Sequence, residues 1–293
     1  MITDWIEAIR PRTLPVSAAG VIAAMALSIM EGRLAIVPAL LCLLFALLAQ
    51  VVSNFANEYY DYVAGTDKKG REGPRRGVTE GTISPTAMRN ATFGTLAVAC
   101  LVGLCLIPYG GWWLIGVGIA IAVFALAYSA GPYPLSRHGL GDVAVLVFFG
   151  LVPVNFTFYL MTGEWTLNAL LLSVAIGLLG MNVLIVNNYR DADDDRSVGK
   201  HTTVVLLGRK TMSTVYAVGG IVAVALLAVI LGSRGHWLLL AIAVVPYLLL
   251  HIATWRRLCS LHGRALNAVL GATARNMLIL SALFLVVCIV AAP

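Results

Sequence analysis

Apolar residues fall in nine long blocks along this chain, and polar residues gather in the joints between them. The blocks lie at about 13–30, 35–60, 86–107, 111–130, 140–161, 166–188, 211–232, 236–255 and 267–291. A helix needs roughly 20 apolar residues to cross a bilayer, and each block is close to that length. Glycine and proline bound most of them, at Gly110-Gly111, Gly131-Pro132, Gly163, Gly232, Gly235 and Gly263, as expected of turns between helices. The pattern predicts an all-α polytopic membrane protein, a single transmembrane domain over residues 1–293 with about nine transmembrane helices. Met1 to Arg12 is a short amphipathic lead. Its approach to the apolar run at Leu14 has the outline of a signal peptide, but the charged Arg10-Pro11-Arg12 entry and the later spans favour a retained first helix.

Composition agrees. Of 293 residues, 60% are hydrophobic and 12% charged, and the mean hydropathy is +0.89, against about 45–50% apolar and about 25% charged in a soluble domain. The five cysteines form no C-x-x-C pair and read as small buried hydrophobes, so neither a disulfide framework nor a zinc site is expected. The net charge of +6 reports loop bias and anionic lipid, with no nucleic-acid partner implied. With a cytoplasmic N-terminus, every basic residue falls on the inner side except Arg33, Arg234 and Arg275. That bias predicts a multi-pass protein of the cell (inner or plasma) membrane, and it puts the acid-rich joints on the cytoplasmic face.

Two joints carry the chemistry, in loops of about 57–85 and 187–210. In the second, Asn187, Asp191 and Asp195 recur at i, i+4 and i+8, one face of a helix. In the first, Asn54, Asn57 and Asp61 are followed by Asp67 beyond a Gly65 turn. Carboxylates at the margin of a membrane protein mark a site, and several facing one cavity repel unless cations sit between them. Magnesium takes such hard oxygens and bridges one or two carboxylates to phosphates. Asn57, Asp61, Asp67, Asn187, Asp191 and Asp195 are therefore the expected metal ligands. Asp61, Asp191, Asn57 and Asn187 are the expected catalytic core. Basic residues flank both joints, and arginine grips phosphate as a fork while lysine acts as a point charge. Arg12, Arg75, Arg76, Arg137 and Lys200 are candidates for a diphosphate or an acceptor carboxylate, and Tyr60, Asn54 and Asn188 for substrate contact. Asn57 and Asp61 recur as Asn187 and Asp191, consistent with two four-helix halves plus one added helix. Arg275, within the last span, is expected to pair inside the bundle, His251 to be structural, and Trp112 and Trp113 to anchor at the interface. No G-x-x-x-x-G-K-[ST] loop is present, which argues against a nucleotide-driven pump. A metal or ion transporter is disfavoured because the acids cluster at one face and not at mid-bilayer. The D-G-x-x-A-R signature of phosphatidyl-alcohol transferases is also missing.

The twin N-x-x-x-D starts, Asn57 to Asp61 and Asn187 to Asp191, resemble the UbiA superfamily of intramembrane aromatic prenyltransferases. Arg10-Pro11-Arg12-Thr13-Leu14-Pro15, Gly73-Pro74-Arg75-Arg76-Gly77, Gly131-Pro132-Tyr133-Pro134-Leu135, Gly139-Leu140-Gly141-Asp142 and Gly199-Lys200-His201-Thr202-Thr203 are similar to its 1,4-dihydroxy-2-naphthoate polyprenyltransferase branch. Two departures are the longer Asp61–Asp67 interval and Asp142 where that branch has glutamate. The resemblance implies a central cavity open to the cytoplasmic side and laterally to lipid. It implies two Mg²⁺, a polyprenyl diphosphate donor and an aromatic acid acceptor, prenylated with loss of its carboxylate. Other acceptors of the superfamily are 4-hydroxybenzoate, homogentisate, a chlorophyll precursor and haem. Neither the residues nor the resemblance sets an oligomeric state.

Overall fold

The computed structural model describes residues 2–232 and 235–292, so Arg234 lies outside the described residues. The described chain is helical, with no strand. Its helices are α1 (Ile2–Ile9), α2 (Leu14–Met30), α3 (Ile36–Val63), the single turn α4 (Gly77–Glu80), α5 (Pro85–Leu104), the turn α6 (Ile107–Gly110), α7 (Leu114–Ala127), α8 (Gly141–Val145), α9 (Val152–Thr162), α10 (Leu167–Ser197), α11 (Thr203–Gly232), α12 (Trp237–Ser260) and α13 (Leu266–Ala291).

Local chemistry explains several ends. Ser84 Oγ accepts the Ala87 N–H ahead of Pro85, and Thr166 Oγ1 accepts the Ala169 N–H, so α5 and α10 start on side-chain caps. Gly163 closes α9 with φ +76, a left-handed conformation that suits glycine. Between α8 and α9, Leu146–Leu151 winds as a wide π turn. It abuts Pro153, which has no N–H to donate, and it sets Gly150 directly against Gly177 of α10. The three pieces run on as one 22-residue span, Gly141–Thr162.

Among the described residues seven helical spans are long and apolar enough to cross a membrane, or eight if α1 and α2, bent by 49°, count as one. Of the expected nine, the two that this count leaves out or admits only as a bent pair are α7, whose 14 residues rise only about 21 Å, and α1–α2. The span expected from 211 begins earlier, at Thr203, with a break at Gly208 (φ 83). Helices α3 and α10 have 28 and 31 residues, more than the roughly 20 a hydrocarbon layer needs. Their surplus turns carry the two Asp motifs.

Helix α10 is central and packs on α2, α9, α11 and α13; α3 packs on α2, α5 and α7. Outer faces carry large apolar side chains such as Ile36, Leu40, Leu101 and Leu249, as lipid contact requires. No disulfide joins any of the five cysteines among the described residues. Cys42 and Cys288 are buried, but Cys100, Cys105 and Cys259 are exposed, which corrects the reading of all five as buried. His251 is structural, as expected: it stacks on Tyr216 and Tyr247 and meets the Ala217 carbonyl at 3.1 Å. Trp113 is not a lone anchor, because it joins Phe156, Tyr159 and Trp165 in an aromatic cluster. That cluster lies at the end of the bundle remote from the Asp motifs. Beside it the buried side chains of Val21, Cys42, Leu106 and Leu160 pack together.

Candidate active site

The two Asp motifs meet. Asn57, Asp61, Asn187, Asn188, Asp191 and Asp195 all line one polar cavity of about 180 Å³. Helical spacing explains the selection on α10. Asn188, Asp191 and Asp195 are buried, whereas Asp193 and Asp194 face outward, and Asp193 pairs there with Arg209 at 2.9 Å. Loops close over the cavity. The Lys68 ammonium donates to Ser197 (2.9 Å), the His201 N–H to the Arg137 carbonyl (2.8 Å) and the Asn267 amide to the Glu72 carbonyl (3.0 Å).

Basic side chains cross-link the motifs. Arg71 reaches Asp67 and Asp191, both at 3.0 Å, and Lys200 reaches Asp61 at 3.4 Å and Asp195 at 3.8 Å. Arg137 donates to Asp61 at 3.0 Å. Arg190 grips both oxygens of Asp191 at 2.7 Å and also donates to Asn187 and Asn267. The Asn57 carbonyl oxygen receives Arg10 at 2.6 Å and Arg76 at 2.8 Å. In the loop, burial pushes the Asp67 carboxyl above its ordinary range, against the opposing pull of Arg71. Burial pulls the Arg71 guanidinium down, but Asp191 and Asp67 hold it above its ordinary value.

Three carboxylates line this cavity against five basic side chains: Arg10, Arg71, Arg76, Arg190 and Lys200. The excess of positive charge suits a polyanion. The donor set also suits magnesium, since carboxylate and amide oxygens arrive from two elements. Among the described residues no three His, Cys, Asp or Glu side chains converge to hold an ion between them. An ion here would therefore complete its shell with phosphate oxygens and water, which is how magnesium usually binds.

Several of the expected residues lie apart from this cavity or are engaged elsewhere. Arg12 and Arg75 are exposed and outside the cavity, because their partners in sequence, Arg10 and Arg76, turn inward. Tyr60 packs on Tyr59 and does not line the cavity. Asp67 lies outside the lining and touches Arg71 and Arg76 instead. Asn54 lines the cavity, but its amide is committed to the Ile9 carbonyl at 2.8 Å and to Gln50 at 3.0 Å, so it clamps the α1–α2 break. Arg10, Arg71, Arg190, Gln50, Tyr128 and Thr202 line the cavity without having been singled out. Arg10 takes a positive φ of 57, uncommon for a residue with a side chain. Thr13 holds that bend through its N–H (2.9 Å) and hydroxyl (3.0 Å) on the Arg10 carbonyl. Arg10→Ala should therefore lower activity at least about tenfold, and Arg12→Ala leave it unchanged, in a transfer assay on purified protein. Equal effects would contradict the inward assignment.

A second cavity, of about 410 Å³, is lined almost wholly by apolar side chains of α2, α3, α5, α7 and the Gly141–Thr162 span. The two cavities share Gln50, Ser53, Tyr128, Val145 and Phe149 as a common wall. Fold and site together define a polytopic helical membrane protein with a cationic, carboxylate-bearing pocket joined to an apolar chamber. The model of the UbiA prenyltransferase family matches residues 15–268, and the chain belongs to that family. It is 38% identical over 251 residues to a 1,4-dihydroxy-2-naphthoate octaprenyltransferase of Escherichia coli, covering 82% of this chain and 81% of the relative. It is 35% identical to the enzyme so named in Haemophilus influenzae, covering 85% and 77%. Its fold is similar to a UbiA homolog from Archaeoglobus fulgidus bound to GPP and Mg²⁺, with TM-score 0.69, 16% identity and coverage of 98% and 99%.

Proposed function

We propose that this chain transfers a polyprenyl group from polyprenyl diphosphate to 1,4-dihydroxy-2-naphthoate, giving demethylmenaquinol, the hydroquinone form of demethylmenaquinone. The observation that carries the reading is the shared wall between the two cavities. It suits a substrate with a polyanionic head and an apolar tail whose reactive carbon lies at the boundary. Naphthoate octaprenyltransferases among the relatives support the acceptor, and the GPP- and Mg²⁺-bound fold neighbour supports the donor and a divalent ion.

Asp61 with Asn57 on one side, and Asp191 and Asp195 with Asn187 on the other, would hold two Mg²⁺; bound there, these supply charge neutralisation to a diphosphate leaving group. Arg71, Arg76, Arg137, Arg190 and Lys200 would bind the remaining phosphate oxygens, and Asp67 would orient Arg71 and Arg76. The apolar walls of Val145 and Phe149 keep water from the allylic carbon as its bond to oxygen breaks. The electron-rich ring carbon that bears the carboxylate attacks that carbon. Carbon dioxide and diphosphate leave, which balances atoms and charge without a net proton. Gln50, Ser53 and Tyr128, polar groups on the shared wall, would orient the acceptor.

Basic residues crowd the end with the Asp motifs, which supports a cytoplasmic N-terminus and site in the cell membrane. Counting the bent α1–α2 pair and α7 as crossings supports nine, as two four-helix halves and one more.

The test is a membrane assay with one labelled polyprenyl diphosphate, a panel of aromatic acids, and EDTA. Product is expected from dihydroxynaphthoate, and chelation should abolish it, with excess magnesium restoring it. Preference for another acid, or activity that survives EDTA, would overturn the reading.

A further inference from the structure

An arginine within a membrane span almost always faces the bundle interior and pairs there. Arg275 does the opposite: it is exposed on α13, and among the described residues neither a hydrogen bond nor an ion pair engages it. Its depth follows from neighbouring contacts. Asn267, at the head of α13, receives Arg190 at 2.8 Å, so that end of the helix is level with the polar cavity. Arg275 lies about two turns deeper, near 12 Å by the helix rise. That is inside the apolar layer yet within the leaflet on the Asp-motif side.

The helix aims this side chain. Cα–Cβ bonds tilt toward a helix N-terminus, which here points back to the Asp-motif surface. On that path lie exposed Ala268 and half-buried Gly271, and nothing stands within 4 Å of where a Gly271 Cβ would be. The arginine stem therefore has an unobstructed channel along which to carry its charge to the headgroup layer. A second charge flanks this channel. Across the α12–α13 seam Asn276 donates to Thr254 at 2.9 Å. Arg257, three residues on from Thr254 and so back on nearly the same helix face, is exposed beside the seam, one turn nearer the surface. Among the described residues no aspartate or glutamate lies on an outward helix face at this depth, so a second copy of the chain offers no acid to match.

We infer that Arg275 and Arg257 form a binding site for the phosphate of an anionic phospholipid in the leaflet on the Asp-motif side. The lipid's chains lie against α12 and α13, and its phosphate sits where the two guanidinium groups converge. The site is separate from the two cavities, which contain neither residue. It rests only on the membrane placement of the helices, and not on the proposed acceptor.

Purified full-length protein in neutral detergent, titrated with phosphatidylglycerol or phosphatidylcholine and read by native mass spectrometry, tests it. Wild type should retain phosphatidylglycerol in preference to phosphatidylcholine. Arg275→Leu, compatible with a lipid-facing surface, should weaken that retention about fivefold, and Arg257→Gln by a similar factor. Arg275→Lys should keep most of it. Prenyl transfer in neutral detergent should be unchanged in Arg275→Leu. Equal retention of both lipids by wild type, or undiminished phosphatidylglycerol on Arg275→Leu, would overturn the site. So would a change in subunit number without lipid loss, which would assign Arg275 to a contact between copies.

Discussion

Asp61→Ala and Asp191→Ala should each lower prenyl transfer by at least about a hundredfold, because each removes a charged oxygen pair from the cavity where the diphosphate is to be held. Neither is a peripheral acid. Asp61 is 1% exposed and takes Arg137 and Lys200, and Asp191 is 5% exposed and takes Arg190 and Arg71. Removing a buried carboxylate also leaves its arginine uncompensated, at about 3–5 kcal/mol. Alanine alone would confuse lost chemistry with lost folding. Asp61→Asn and Asp191→Asn separate the two, since the amide keeps shape and an acceptor oxygen but not the charge. The asparagine forms should melt within a few degrees of wild type and be equally inactive. Turnover near wild type at limiting magnesium in either one would remove the metal assignment for that side.

Gly150→Ala should cost the protein its fold more than any other single methyl group considered. An added Cβ would lie 2.4 Å from the Gly177 Cα, 2.4 Å from the Ser173 carbonyl and 2.6 Å from the Gly177 N–H nitrogen. All three are backbone atoms of α10 and cannot swing aside, so the π turn and α10 must separate. Overpacking of this kind costs about 3 kcal/mol. It acts on the helix that carries Asn187, Asp191 and Asp195, so activity should fall along with thermal stability. Gly118→Ala is the control, with nothing within 4 Å of the new atom. Matching melts for the two variants, in the same detergent, would show that the Gly150–Gly177 approach is not tight.

Much of this was legible in the residues. The i, i+4, i+8 recurrence on α10 separated Asp191 and Asp195, which turn inward, from Asp193 and Asp194, which do not. Apolar block lengths located most ends of the long helices to within a few residues, except where α10 runs on to Ser197 and where α11 begins earlier, ahead of the Gly208 break. The failures have a common cause. In the loops no periodicity says which of two adjacent basic residues points in. Arg10, and not Arg12, points in because a bend held by Thr13 and Asn54 turns it there, and neither the positive φ at Arg10 nor the long-range Asn54 contact has a local signature. Arg71 looked like one positive charge among several, and only the loop's return to α10 gives it two carboxylates. For Arg275, a general expectation about charged residues in spans gave the wrong face.

The apolar chamber below the site has a bearing on bioenergetics. A pocket that admits water and ions from one side of an energised membrane endangers the proton gradient if it continues to the other. Here, beyond Gln50, Ser53 and Tyr128, the lining is apolar but for the hydroxyls of Ser17 and Thr157 and two thiols, and Leu106 and Leu160 stand at the end near the rings around Trp113. The fold thus keeps the bilayer an insulator while charged chemistry proceeds at one of its faces.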